Sequence, residues 1–173
     1  ASVPQRELTQ VRTTRKSEET YATVVGTSPD LQNVLTLEMV NGNFFNYTDI
    51  HEARRVCVLG HQIKRDLFIY EEAVGRQIKI EDLWFTVGGV MEAVPRSTGK
   101  GGVGDRDMNF DIYVPLSTLS HRFASDPAEP DVDQIILKVT DDERIKEASN
   151  LVNRLLDLRH NQVRDFRIIV PEE

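Results

Sequence analysis

The sequence predicts an α+β fold made of small mixed sheets and ending in a β-α-β unit. Short runs rich in Val, Ile, Thr and aromatic residues alternate with turn-forming residues along most of the 173 residues, which is typical of strands. Near the C-terminus, apolar residues at helical spacing lie between two apolar runs. The composition, 39% hydrophobic and 28% charged, is that of a folded, water-soluble protein.

Nine strands are expected from the local apolar runs. The charged stretch 15–19 and the pair Glu81-Asp82 are expected to close two hairpins. The expected strands cover residues 7–12, 20–26, 35–40, 55–59, 76–80, 83–91, 110–114, 134–139 and 164–170.

Five helices are expected between these strands. The first opens at Ser28 as N-cap with Pro29 next, where the missing N–H of proline is harmless. In the third, Ile63 and Leu67 lie four residues apart on one face. The expected helices are two turns after Ser28, residues 48–52, a helix after Gly60, residues 116–122 and residues 141–159.

The last 40 residues predict strand, helix and strand in succession. Thr140 and Glu143 have the spacing of a capping box. The helix that follows carries a continuous apolar stripe, formed by Ile145, Ala148, Val152, Leu155 and Leu156.

Two segments lack hydrophobic periodicity. Residues 95–107 contain four glycines and five charged side chains, which predicts an exposed, mobile loop. Residues 124–133 contain two prolines and four acids and are expected to form a linker.

The charge balance disfavours nucleic acid as a partner. The chain has 21 Lys plus Arg against 28 Asp plus Glu, a net charge of −7, which repels phosphate backbones. The sequence contains no stretch of about 20 apolar residues and no signal-peptide pattern. A soluble protein and an extracytoplasmic loop of a membrane protein would both show this.

The residues that could carry chemistry are not grouped in a way that indicates catalysis. Cys57 lies in an apolar run and is expected to be a buried, inert thiol. The four histidines, His51, His61, His121 and His160, are not at zinc-ligand spacing. The carboxylate clusters lack the glycine and terminal glutamate of an EF-hand loop. We therefore expect no metal and no catalytic residue.

A glycine-rich stretch at residues 99–106 resembles the phosphate loop of MinD-type and ParA-type ATPases except at its end. Asp105 stands where that loop needs Lys, and Arg106 stands where it needs a hydroxyl. A carboxylate there would repel phosphate, so nucleotide binding is not expected and no cofactor is predicted.

Aromatic residues cluster at two places, Trp84-Phe85 and Phe44-Phe45. On a strand, Trp84 and Phe85 point to opposite faces, so one is expected in the core and the other partly exposed. Core packing is expected for three of the four aromatic residues.

Several segments together resemble the periplasmic core domain of MacB-type, FtsX-like ABC transporter permeases. The matching segments follow the order and spacing of the family from about Val11 onward. They are Val25-Gly26-Thr27-Ser28-Pro29-Asp30, Gly42-Asn43-Phe44-Phe45 with Asp49, Arg55-Val56-Cys57-Val58-Leu59-Gly60 with Leu67-Phe68, Val74-Gly75-Arg76-Gln77-Ile78-Lys79-Ile80, Phe85-Thr86-Val87 with Gly89-Val90, Val114-Pro115-Leu116-Ser117-Thr118, and Asp165-Phe166-Arg167-Ile168-Ile169-Val170.

The resemblance implies two lobes. Residues 1–26 would be N-terminal strands that bridge to a porter-like lobe, 27–125 an inserted Sabre-like lobe, and 126–173 the β-α-β part of the porter-like lobe. Asp82 stands where the family usually has a turn glycine. Aspartate tolerates the left-handed turn conformation, so the hairpin is still expected.

The resemblance also implies function and location. The chain would be a soluble domain of an integral membrane protein, at the periplasmic or extracytoplasmic face of the bacterial inner membrane. It would transmit ATP-driven conformational change to export a drug, peptide or lipoprotein. The implied partners are a membrane-fusion adaptor or other periplasmic protein, a second copy or paralogue, and an ATPase domain in cis or trans. The alternative is a non-transporting, FtsX-like platform that activates a cell-wall hydrolase.

The cations of the glycine-rich loop are the predicted contact residues. Arg96, Lys100 and Arg106 lie in a segment without apolar periodicity and are expected to face a partner protein.

Overall fold

The computed structural model describes residues 2–95, 107–123, 132–141, 144–159 and 166–170. Contacts divide the chain into two compact units. The first comprises Ala1–Pro95 and Asp107–Leu137, and the described part of the second lies within Lys138–Glu173. The lobe boundaries 1–26, 27–125 and 126–173 stay a prediction.

The first unit contains eight strands and four short helices among its described residues. The strands are β1 (Ser2–Arg15), β2 (Glu18–Thr27), β3 (Met39–Gly42), β4 (Val56–Leu59), β5 (Gln77–Ile80), β6 (Leu83–Met91), β7 (Asp111–Pro115) and β8 (Gln134–Leu137). The helices are α1 (Leu31–Val34), α2 (Tyr47–His51), α3 (His61–Phe68) and α4 (Leu116–Arg122), and a 3-10 turn spans Met108–Phe110. The described part of the second unit contains the helix α5 (Ile145–Arg159).

The strands form one mixed eight-stranded sheet, so the expectation of several small sheets is wrong. The order β2-β7-β4-β6-β5-β1 is closed by pairing of β1 with β2, which makes a circuit of six strands. β3 is attached to β6 and β8 to β1. The strands join into one sheet because β1 is long enough to pair with β2 on one edge and with both β5 and β8 on the other.

Two apolar clusters lie on opposite faces of five of these strands. On β7, Ile112 and Val114 face one cluster and Tyr113 faces the other, as the alternation of side chains along a strand requires. β4 divides its side chains in the same way. The first cluster also takes in the apolar side of α3, where Ile63, Leu67 and Phe68 are buried.

Most of the local predictions for the first unit are confirmed. Both hairpins, β4, α2, α3, α4 and the strand before Pro115 occur within a few residues of their expected places. The left-handed residue of the second hairpin turn is Glu81, with φ of 49°, and not Asp82.

Two predictions between residues 28 and 40 are wrong. α1 begins at Leu31 with Asp30 as its N-cap, because the Ser28 carbonyl, and not its hydroxyl, accepts the Leu31 N–H at 3.1 Å. The strand expected at 35–40 begins only at Met39, because Thr36 adopts φ of 53° and interrupts extended backbone.

The β-α-β prediction holds for β8 and α5 but not for its last strand. Residues 166–170 are not in a strand, and none of the described strands pairs with them. An apolar run becomes a strand only where a neighbour offers a backbone ladder. α5 starts at Ile145 rather than Asp141. Glu143 of the expected capping box lies outside the described residues.

Gln5 on β1 is buried at 0% exposure, and neither polar atom of its side chain has a hydrogen-bond partner among the described residues. Burying an amide without partners is unfavourable. We expect Gln5→Met to raise the free energy of unfolding by about 1 kcal/mol, measured by urea unfolding. The exposed Gln77→Met should change it by less than about 0.5 kcal/mol. A loss of stability in Gln5→Met would show that the amide is satisfied in solution.

Candidate interaction surfaces

The single cysteine is placed for packing. Cys57 on β4 is fully buried, and its S–H donates to the Thr86 carbonyl at 3.7 Å. Burial raises the pKa of the thiol, so the reactive thiolate is disfavoured. This confirms the expected buried strand.

Within the described ranges, no three His, Cys, Asp or Glu side chains come close enough to hold a metal ion. His51 and His121 are exposed, His61 is half-buried, and His160 lies outside the described ranges. The helices in those ranges are too short or too polar to span a bilayer.

The predicted contact cations Arg96, Lys100 and Arg106 lie outside the described residues, as does nearly all of the glycine-rich loop. Their role stays a prediction. Two other exposed surfaces of the first unit can be described in atomic detail.

The first surface is the hairpin end, formed by residues 15–18 of the β1–β2 turn and residues 67–71 at the end of α3. Arg15 is only 8% exposed. Its guanidinium lies 4.1 Å from the centre of the Phe68 ring, donates to the Leu67 carbonyl at 3.2 Å and pairs with the Glu71 carboxylate. One arginine therefore joins the hairpin to the helix through three contacts.

A strained residue follows the helix at this surface. Ile69 has φ of 51° and ψ of −97°, which is unfavourable for a β-branched side chain. Its N–H donates to the Arg65 carbonyl at 3.0 Å, and its carbonyl accepts from Lys64 Nζ at 3.3 Å. Such strain persists only where the surroundings fix the backbone.

The hairpin end projects two large side chains into solvent. Tyr70 is 98% exposed and Ile69 is 53% exposed. Tyrosine and arginine are enriched among residues that dominate the energy of protein interfaces. The hairpin end is thus a firmly held projection suited to binding a protein. Sequence reasoning missed it, although the pair Ile69-Tyr70 directly after an amphipathic helix is visible in the sequence.

The charge network of the hairpin end predicts a pH-dependent contribution to stability. Hydrogen bonds from Arg15 and then Lys16 hold the pKa of the Glu71 carboxyl below its ordinary value of 4.5. Because the pKa of Glu71 is lower in the folded protein than in the unfolded chain, its carboxylate stabilises the fold at pH values above the unfolded pKa. This stabilisation is lost as the pH falls through the folded pKa.

We therefore expect Glu71→Gln to lower the free energy of unfolding at neutral pH and to lower it by less at about pH 3, because protonation of Glu71 removes the stabilisation. Urea unfolding at both pH values measures this. The exposed Glu92→Gln should show no difference between wild type and variant at either pH. A Glu71→Gln effect that is equal at both pH values would contradict the assignment.

The second surface is the outer sheet face. It is made by side chains of β1, β2, β5 and β6 that point away from the first apolar cluster. Pairing sets Glu19, Thr14, Lys79 and Trp84 in one row across these strands. Trp84 is 51% exposed, whereas Phe85 is fully buried. This confirms the prediction that the two aromatic residues face opposite sides.

The other aromatic pair packs in the second apolar cluster. Phe45 is buried, the rings of Phe44 and Phe45 are 4.4 Å apart, and Phe44 lies 6.1 Å from Tyr113. These two residues therefore do not extend the aromatic surface around Trp84.

The described strands and helices form a domain of mixed α/β structure. The chain matches the MacB-like periplasmic core domain over residues 1–155. It therefore belongs to the family of MacB-like periplasmic core domains.

Curated relatives are export proteins. The chain is 27% identical over 148 residues to the pyoverdine export ATP-binding/permease protein PvdT of Pseudomonas aeruginosa, covering 86% of this chain and 21% of the relative. It is 30% identical over 145 residues to the macrolide export ATP-binding/permease protein MacB of Chromobacterium violaceum, covering 84% of this chain and 21% of the relative. The chain thus spans about a fifth of the length of these relatives.

Solved structures share the fold. The periplasmic region of MacB from Actinobacillus actinomycetemcomitans aligns with a TM-score of 0.78 at 20% identity, covering 99% of this chain and 71% of that one. The extracellular domain of the noncanonic ABC-type transporter YknZ from Gram-positive bacteria aligns with a TM-score of 0.77 at 17% identity, covering 98% and 80%.

Proposed function

We propose that the chain is the extracytoplasmic domain of an ABC transporter permease and transmits ATP-driven conformational change to export a substrate together with an adaptor protein. The names of the relatives PvdT and MacB support the transporter class. The parent protein would lie in the bacterial inner membrane, with its ATPase domain in cis or trans and a second copy or paralogue beside it.

The closed circuit of six strands is the observation that carries the proposal. Every strand of the circuit is hydrogen-bonded on both sides to another member. Apolar clusters pack against both faces of five of these strands. A close-packed unit of this kind resists deformation, so a displacement at one end would move the whole unit.

The hairpin end is the proposed adaptor contact. Tyr70 and Ile69 supply exposed apolar area, and Arg15 fixes the backbone that presents them. The cations Arg96, Lys100 and Arg106 are proposed as a second contact for a partner. The charge of −7 argues against nucleic acid as that partner.

The test uses the parent transporter in lipid nanodiscs with its adaptor. Tyr70→Ser should abolish the stimulation of ATP hydrolysis by the adaptor and leave basal hydrolysis unchanged. Tyr21→Ser, at another exposed tyrosine, is the matched control and should retain stimulation. Full stimulation in Tyr70→Ser would remove the contact from the hairpin end.

A second measurement tests whether the domain transmits conformational change to export. Deleting residues 1–173 from the parent should stop export while ATP hydrolysis continues, and export that continues would contradict the proposed function. The alternative function is a non-transporting platform that activates a cell-wall hydrolase. Activation of a bound hydrolase by the parent protein, without export of any substrate, would support this alternative instead of transport.

A further inference from the structure

Among the described residues, the second edge of β1 is paired only near its two ends. β8 pairs with Ser2–Gln5, and β5 pairs with Thr13 and Thr14. Neither strand is in register with residues 6–12, which leaves a gap in the sheet beside the middle of β1.

β1 contains a β-bulge at this gap. The register of β1 with β2 shifts between Leu8 and Val11, and Gln10 adopts φ of 53°. A bulge bends its strand and often lies next to a functional site. A groove of about 540 Å³ opens here, lined on its apolar side by Leu8, Val11 and Phe123.

Carboxylates mark both ends of the gap. The Glu7 N–H donates to Asp133 Oδ2 at 2.8 Å, and the Arg12 N–H donates to Glu81 Oε1 at 3.2 Å. In return the Asp133 N–H donates to the Gln5 carbonyl and the Glu81 N–H to the Arg12 carbonyl, each at 2.9 Å. Between these ends about four residues of β1 remain, or roughly 13 Å of extended chain.

We propose that this groove binds an extended, cationic peptide segment of a partner protein, which adds to the edge of β1 as a short strand. Strand addition takes its affinity from backbone hydrogen bonds and its specificity from alternate side chains. One set of side chains would lie on the apolar lining, and the other would place Lys or Arg near Glu81 and Asp133.

The charges of the groove select a cationic segment. Glu81 and Asp133 are exposed at its two ends. Arg6, a cation on the wall, is buried and already has an interaction partner within the protein. This inference concerns the groove alone and stands whether or not the domain relays force.

The first experiment titrates the 173-residue chain, labelled for NMR, with the peptide acetyl-Val-Lys-Val-Lys-Val-amide at physiological salt. The amide signals of Leu8 through Val11 should shift on binding. The same peptide with Glu in place of Lys should bind at least about tenfold more weakly, because its charges repel those of the groove. Equal binding of both peptides, or no shift at residues 8–11, would overturn the proposal.

A backbone control separates strand addition from attraction by net charge. The cationic peptide with all five backbone nitrogens methylated keeps its charge but loses every N–H group that a ladder could use. It should fail to shift the signals of Leu8 through Val11. If it binds as tightly as the unmodified peptide, the groove does not add strands.

Paired variants test the two end carboxylates. Glu81→Gln with Asp133→Asn retains both acceptor oxygens and should weaken binding of the cationic peptide about tenfold. Glu18→Gln with Glu19→Gln removes the same charge from the exposed β1–β2 turn and should change binding less than about twofold. Equal weakening in both double variants would show that only net charge attracts the peptide.

Discussion

Replacing Arg15 by alanine is expected to lower the free energy of unfolding by about 2 to 3 kcal/mol. The guanidinium is nearly buried, lies over the Phe68 ring, and donates to the Leu67 carbonyl. Alanine would remove the cation from the ring, leave that carbonyl without its side-chain donor and open space beneath the turn. The partner carboxylate, Glu71, is exposed and can be solvated, which keeps the loss below that of a fully buried ion pair.

Arg12 provides a matched control on the same strand. Its side chain is exposed, so Arg12→Ala should change the free energy of unfolding by less than about 0.5 kcal/mol. Urea unfolding of both variants measures the difference. Equal effects of Arg15→Ala and Arg12→Ala would show that the arginine does not hold the hairpin to the helix.

Replacing Gly60 by alanine is expected to lower the free energy of unfolding by about 3 kcal/mol. A Cβ at this position would lie 2.4 Å from the Asn109 carbonyl oxygen and 2.8 Å from that of Met108. Both are backbone atoms of the 3-10 turn before β7, so a side-chain rotation cannot relieve the contact. The Gly60 N–H also donates to the Asp111 carbonyl at 2.8 Å, which any shift would strain.

Gly88 serves as the control for Gly60. A Cβ there would meet the Asn43 and Cys57 carbonyl oxygens at 3.6 and 3.8 Å, which are ordinary contacts. Gly88→Ala should therefore leave the free energy of unfolding within about 0.5 kcal/mol of wild type, because alanine in a strand also restricts the unfolded chain. Thermal unfolding by circular dichroism compares the two variants, and a Gly60→Ala protein as stable as Gly88→Ala would contradict the close packing.

Local patterns predicted most elements of the first unit, because those elements are determined by neighbouring residues. The alternation of Trp84 and Phe85 and the spacing of Ile63 and Leu67 each fix a buried face without reference to the rest of the chain. The strand expected at 35–40 failed because apolar content alone does not reveal the left-handed backbone at Thr36.

Sheet closure and the hairpin end could not be predicted in this way. Closure depends on pairing between distant segments, such as Thr23 with Asp111 and Val56 with Thr86. Arg15 belongs to a charged stretch that predicts a hairpin turn, and nothing in that pattern indicates that contact with Phe68 buries it. Only the tertiary structure shows that the Arg15 guanidinium packs on the Phe68 ring and donates to the Leu67 carbonyl.

The closed circuit also determines when the unit can finish folding. β2 forms its hairpin with β1 early in synthesis, but its other edge stays bare until β7, far along the chain, is available to pair with it. Such distant pairing slows folding, and a bare apolar edge invites pairing with other chains in the meantime. A nascent chain of this kind stays open to such pairing until β7 has been made.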